Sequence, residues 1–353
     1  MRFSPTPWLI AGIAFGVLGF SRGLHTSFGV FNVALLDTFG WSRGATAGIF
    51  SVVLTMDALL SPAAGYLLDR YGTKKICAAG CAAMVLGLFL SSRVSALWQL
   101  YICFGLVLAA GFTFTGMVPH IFLISEWFSS NRASAIGIVY AGSGVGIMLL
   151  APLSEWLISS YGWSRTFEIY SAIVLIAMLP VVWFTYSHGP HGHQPRQHAQ
   201  KVDHANQWTA KLALQSLQFW LLFVARIGAA SGTTVIVTHQ VAHVVDIGFS
   251  KLLSASIFGL AGITSSFGRV IFGFIADRLS KPAAYTLNVA MTVVGVGGAL
   301  GSYFGGAFHD WTGSYTVSFT LSTLLLALSD VCIWLASVPR VADYDKRLWP
   351  RES

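Results

Sequence analysis

The chain has 353 residues, of which 55% are hydrophobic and only 10% charged. A soluble domain carries about 25% charged residues, so this composition excludes a globule covered by water and makes lipid part of the solvent. The net charge of +7 does not point to nucleic acid, because the basic residues lie in short segments between apolar runs and form neither patch nor arm.

A membrane-crossing helix needs ~20 mostly apolar residues. Ten such runs follow one another, at roughly 8–36, 44–68, 75–92, 97–124, 133–157, 165–186, 214–245, 252–276, 283–308 and 314–337. The first is too long for the core of a signal peptide and reads as a retained span. The longest polar segment, Ser187 to Gln207, holds Pro190, Pro195 and the histidines His188, His191, His193, His198 and His204. It reads as a flexible linker, with loose metal binding as the weaker alternative. Residues 1–186 are therefore expected as a six-helix half, 187–210 as the linker, 211–338 as a four-helix half and 339–353 as a tail. Cys77, Cys81, Cys103 and Cys332 all lie inside apolar runs and read as small packing residues.

Lys and Arg set the orientation. With the N-terminus inside, inner segments hold 14 of them, outer loops 4 (Arg43, Arg93, Arg165 and Lys251), and spans 3 (Arg22, Arg226 and Arg269). Both termini are expected in the cytoplasm, and the protein in the cell membrane.

The loop after the second span reads Gly65-Tyr-Leu-Leu-Asp69-Arg70-Tyr-Gly72-Thr-Lys74-Lys75. After the eighth comes Gly273-Phe-Ile-Ala-Asp277-Arg278-Leu-Ser-Lys281. Both are Gly-x-x-x-Asp-Arg before a basic turn, on the same predicted face. Such an echo marks duplicated halves. The glycine permits close helix approach, and the aspartate can cap a neighbouring helix N-terminus.

The paired motif is similar to the signature of the major facilitator superfamily. Finer features resemble its oxalate:formate antiporter and monocarboxylate transporter branch. They are Phe28-Gly-Val-Phe31, Phe39-Gly-Trp-Ser-Arg43, Glu126-Trp-Phe128 with Arg132, Ala141-Gly-Ser-Gly-Val-Gly146, His239-Gln-Val-Ala-His243, Asp246-Ile-Gly248 and His309-Asp-Trp-Thr-Gly-Ser-Tyr315. The resemblance implies an all-α polytopic bundle of two halves and alternating-access transport of a small organic anion. The family has twelve spans against six plus four here. Most of a ninth span, the tenth and the first half of the eleventh are missing by this comparison, and a single fused helix is expected over 283–308. Its Gly297, Gly301 and Gly305 form a stripe for close packing.

Ionisable residues at membrane depth are costly and mark functional sites. The resemblance makes Arg269 the substrate-carboxylate ligand, because the family's eighth-span arginine stands four residues before the motif glycine and eight before its aspartate. A guanidinium suits that role by binding carboxylate through two bonds without losing its charge. Arg269 should point into the central cavity, with no carboxylate nearer than Asp277. Arg22, with His25 one turn on, is either a second anion contact or the partner of Asp57 or Asp330. Gly19 and Gly23 beside it could loosen the helix. Arg226 is either an anion ligand or the partner of Glu168. His239 and His243, and Asp57, are the candidates for a coupled proton; the alternative for the histidines is the lining of a watery vestibule. His120, after Pro119, is expected at a kink.

No phosphate loop, metal-ligand set or catalytic constellation stands in the sequence, so neither ATP, a cofactor nor enzymatic activity is expected. A drug:proton exporter remains a variant. A non-transporting remnant or receptor is the rival, motivated by the missing spans. The chain is compatible with a monomer or a homo-oligomer.

Overall fold

The computed structural model describes residues 6–186, 217–276 and 294–337. Among them, α1 (Pro7–Thr26) and α2 (Phe28–Phe39) form the first span. Next come α3 (Arg43–Tyr71) and α4 (Thr73–Ser91). The fourth span is α5 (Leu97–Ile102), a π-helical turn over Cys103–Leu108, α6 (Ala109–Phe114) and α7 (Met117–Trp127). Then follow α8 (Arg132–Tyr161), and α9 (Trp163–Ile173) joined by a second π turn to α10 (Leu179–Thr185). The C-terminal half contributes α11 (Leu217–Asp246), α12 (Lys251–Ala276), α13 (Val294–Thr312) and α14 (Thr316–Ser337). Among the described residues these elements form ten spans, six within 6–186 and four within 217–337. Eight are long and apolar enough over the described residues to cross a membrane.

Local chemistry sets the ends. Thr6 and Ser42 place their hydroxyls to accept from the backbone N–H of Leu9 and Ala45, the usual service of an N-cap. Gly40, Gly72 and Gly162 end helices at φ of 66°, 78° and 82°, where a side chain would be strained. The expected first span of 8–36 is divided at Ser27, whose hydroxyl donates to the Gly23 carbonyl at 2.7 Å. The expected helix over 283–308 is described from Val294 and runs on to Thr312, so His309 and Asp310 lie in its last turn and not in a link. Residues 283–293 are outside the described residues, as are the linker histidines and the tail.

Inter-loop contacts fix which ends share a face. Phe39 meets Trp163 at 5.6 Å between ring centroids, Ser164 donates to the Ser92 carbonyl, Lys251 meets Asp37 and Arg43 meets Tyr315. The loops after spans 1, 3, 5, 7 and 9 therefore gather on one side. On the other, Trp8 meets Phe128 at 5.1 Å and Lys74 lies over Trp183 at 4.7 Å. The alternation is what the charge distribution requires.

The N-terminal half packs around Phe28, Phe31, Phe50, Phe104, Phe112 and Phe167, with Phe31 and Phe167 stacked at 4.4 Å. The halves meet along α8 with α12, α3 with α13, and α2 with α11. The Ala141–Gly146 motif serves two neighbours at once. A Cβ on Gly142 or Gly146 would strike the α1 backbone at Phe15 or Gly19, and one on Gly144 would strike Gly262 of α12. Gly19 and Gly23 thus do not loosen α1. They admit α8, because a side chain on Gly23 would meet the Gly146 carbonyl at 2.7 Å.

Candidate anion-binding site

Two of the three intramembrane arginines have well-defined surroundings, and they differ in kind. On α1, Arg22 forks onto Asp57 of α3, Nη1 to Oδ2 at 3.0 Å and Nη2 to Oδ1 at 3.4 Å. Thr113 of α6 donates its hydroxyl to the same Oδ1 at 2.8 Å. The guanidinium lies against Gly116, where a Cβ would collide with Nη2. The break in the fourth span at Thr115–Gly116 makes this room. The pair keeps 18% and 22% side-chain exposure, so it is a partly accessible ion pair and not a sealed one. Of the sequence alternatives for Arg22, Asp57 is the partner found, and Asp330 is not. His25 stands between Phe50 and Phe112 at 5.0 and 5.1 Å, with Nε2 buried and without a hydrogen bond.

Arg269 has no carboxylate partner among the described residues. It lies on the face of α12 that carries Gly262 and Ser266, turned to α8 of the other half. Nη1 donates to Ser143 Oγ at 2.5 Å, and the guanidinium covers the Tyr140 ring at 4.6 Å. Ser266 beside it donates to the Ala141 carbonyl at 2.7 Å. The charge is thus at the seam between halves, held by a hydroxyl and an aromatic face, groups that position a guanidinium without neutralising it. Asp277 lies outside the described residues.

Arg226 does not pair with Glu168, which instead meets Arg93 at 3.1 Å; the Arg226 Nε is buried without a hydrogen bond. Of the two α11 histidines, His239 does not line a vestibule. His239 is fully buried, donating from Nε2 to the Ser302 carbonyl at 2.9 Å and accepting at Nδ1 from the Tyr315 hydroxyl at 3.3 Å. Steric fit explains its seclusion: Gly305 of α13 leaves the room its ring fills. His243 packs on Tyr315 and Phe319. His120 does mark a break, donating from Nδ1 to the Gly116 carbonyl and accepting at Nε2 from Tyr186.

Of the first loop motif, Gly65, Asp69 and Arg70 end α3, Gly72 terminates it, and Arg70 and Lys74 lie over Tyr71 and Trp183. Of the second, Gly273 lies in the last turn of α12, while Asp277 and Arg278 are outside the described residues. Helices α3 and α12 both begin at the face of Arg43 and Lys251, so Gly273 falls on the same side as Asp69. The sequence reading missed Tyr140 and Thr113, and held Ser143 only as part of the Ala141–Gly146 motif, with no role of its own. No local signal gives these roles, since each depends on a residue more than 50 positions away.

The sequence pattern of the Major Facilitator Superfamily matches residues 11–294. The chain is 27% identical to monocarboxylate transporter 13 of Rattus norvegicus, over 83% of this chain and 66% of that protein. It is 26% identical to monocarboxylate transporter 11 of Homo sapiens, over 82% and 60%, and 25% identical to monocarboxylate transporter 4 of Rattus norvegicus, over 87% and 63%. The chain therefore spans slightly under two thirds of the length of these relatives. With an all-helical bundle among the described residues and the family pattern matched over most of its length, the chain belongs to the Major Facilitator Superfamily.

Proposed function

We propose that the chain is a secondary transporter of a small, monocarboxylate-like organic anion, working by alternating access. The observation that carries this reading is Arg269: a half-buried guanidinium at the seam, lying over Tyr140, with no carboxylate beside it among the described residues. A permanent charge at such depth needs a counter-ion, water or a ligand. A substrate carboxylate supplies the counter-ion in the geometry a guanidinium fits best. The relatives' names give the same substrate class.

Arg22 is the second contact in this reading, with His25 and Arg226 as lesser candidates. Asp57 is the candidate proton carrier. While ionised it holds Arg22; once it takes a proton from water, the fork is released to an incoming carboxylate. Proton and anion then move together. His239 is a weaker carrier, because the Ser302 carbonyl and the Tyr315 hydroxyl occupy both its ring nitrogens; His243, packed on Tyr315 and Phe319, stays a lesser candidate. The Asp69 and Asp277 loops are proposed to flank the moving seam on the cytoplasmic face, in keeping with the concentration of Lys and Arg there.

The test is uptake of labelled monocarboxylates into proteoliposomes under an inward proton gradient, beside a version of the chain carrying two added spans after Lys281. Four helices among the described residues after 216 favour one second reading, a folded but non-cycling remnant. Uptake by the parent chain excludes it. Uptake by the lengthened version alone establishes it. Uptake of cationic drugs and not of anions would overturn the anion assignment.

A further inference from the structure

We infer that the two halves are latched, on the membrane face opposite Asp69, by a clamp in which each half supplies a cation to the other's carboxylates. Arg43 of the N-terminal half is the centre of one arm. Its guanidinium meets Asp246 of α11, with Nη1 and Nη2 each 2.9 Å from a carboxylate oxygen, and Nη1 also donates to the Tyr315 hydroxyl at 2.8 Å. Its backbone N–H donates to Asp310 Oδ1 at 3.0 Å, and that of Gly44 to Oδ2 at 2.8 Å. Asp310, on α13, thereby caps the N-terminus of α3, where N–H groups lack helical partners and a negative charge is favoured. The other arm runs in the opposite sense. Lys251, the first residue of α12, meets Asp37 of α2 at 2.5 Å.

The layer beneath the clamp is closed. A Cβ on Gly306 would meet the Arg43 backbone at 2.7 Å, and one on Gly44 would meet the Ala307 nitrogen at 3.1 Å, so α3 and α13 touch backbone to backbone. One turn deeper, Ser302 donates to the Ala47 carbonyl at 2.9 Å and its own carbonyl accepts from His239. Ala47 is fully buried. Among the described residues, α3 and α13 thus leave no gap between them in the two turns beneath Arg43.

The energetics suit a latch. The side chains of Lys251 and Asp37 are 45% and 56% exposed, and pairs so open to water are individually weak. The Arg43 arm is stronger in form, because a two-pronged ion pair and a helix cap share one residue. Rocking of the halves would break both arms together, as interface ion pairs break in other rigid-body transitions. Alternating signs also disfavour any slipped register, which would place like charges opposite each other.

The experiment reads access to the buried layer and needs no transported solute. Ala47→Cys is placed in a background with Cys103→Ala and Cys332→Ala; the fully buried Cys77 and Cys81 remain as reporters of unfolding. Membrane vesicles exposing the clamp face are treated with a membrane-impermeant maleimide, and labelled positions are mapped by peptide mass spectrometry. Position 47 should be protected in this background. Arg43→Gln and Asp310→Asn should each raise its labelling rate at least about tenfold, and Asp37→Lys, on the weaker arm, at least about threefold, while Cys81 stays protected. The exchanged pair Asp37→Lys with Lys251→Asp should restore protection. Rates within twofold of the background in Arg43→Gln and Asp310→Asn overturn the clamp. Labelling in the exchanged pair as fast as in Asp37→Lys alone also overturns it, and this comparison decides the matter if a single variant labels Cys81 as well.

Discussion

Replacing Arg269 by alanine removes a guanidinium whose fork can give a carboxylate two charge-assisted hydrogen bonds. Each such bond contributes about 1.5–3 kcal/mol, so the loss should be about 3–6 kcal/mol. At 1.4 kcal/mol per factor of ten, binding of a monocarboxylate should weaken by roughly 10²- to 10⁴-fold. Lysine keeps the charge and one bond, which halves the loss in free energy and leaves a weakening of roughly 10- to 10²-fold. Tyr140→Ala removes the ring lying 4.6 Å from the guanidinium, a cation–π contact of about 0.5–2 kcal/mol, whereas Tyr140→Phe should be mild. The fold should survive Arg269→Ala, because Ser143 Oγ already donates to the Tyr140 carbonyl at 2.8 Å and is not orphaned. Equilibrium binding of labelled monocarboxylates to purified protein, with proteoliposome uptake beside it, measures the series. Arg269→Ala protein that binds and transports within twofold of the parent refutes the assignment, as does a lysine variant worse than alanine.

Asp57→Ala leaves Arg22 at membrane depth without its carboxylate. Removing one partner of a buried pair costs about 3–5 kcal/mol; exposures of 18% and 22% put this pair near the lower figure. The double variant Arg22→Ala/Asp57→Ala should melt above Asp57→Ala alone in detergent, and strictly additive losses would contradict the pairing. Gly146→Leu drives a side chain into the Gly19 carbonyl and should cost about 1–3 kcal/mol or more by overpacking; a melting temperature equal to the parent's would refute the α1–α8 contact. Tyr186→Phe removes the hydroxyl 2.8 Å from His120 Nε2 and should cost about 1–3 kcal/mol for the unpaired ring nitrogen, read by the same melts; an unshifted melt would show that water replaces the hydroxyl.

Spans, their number and their alternation between two faces were legible in the sequence, because each depends on a property a residue carries alone. An apolar run of about 20 residues prefers lipid wherever its neighbours lie, and a Lys or Arg in a loop prefers water. The echo of Gly65–Lys75 after the eighth span could be read for the same reason, as a local pattern met twice. Partners could not be read that way. Arg22 faced two acids equally well on paper, and the rotation of α1 and α3 about their axes decided for Asp57. Glu168 looked available to Arg226 until the packing of α9 gave it to Arg93. In the Ala141–Gly146 motif, glycines two residues apart proved to serve α1 and α12 on different faces of one helix. His239, polar enough for a wet vestibule, was sealed by the close approach of α13 at Gly305. Sequence reports what each residue prefers as its solvent. Which side chain meets which depends on helix rotation and crossing, and these are set by interlocking contacts summed over distant segments, so only the assembled bundle determines them.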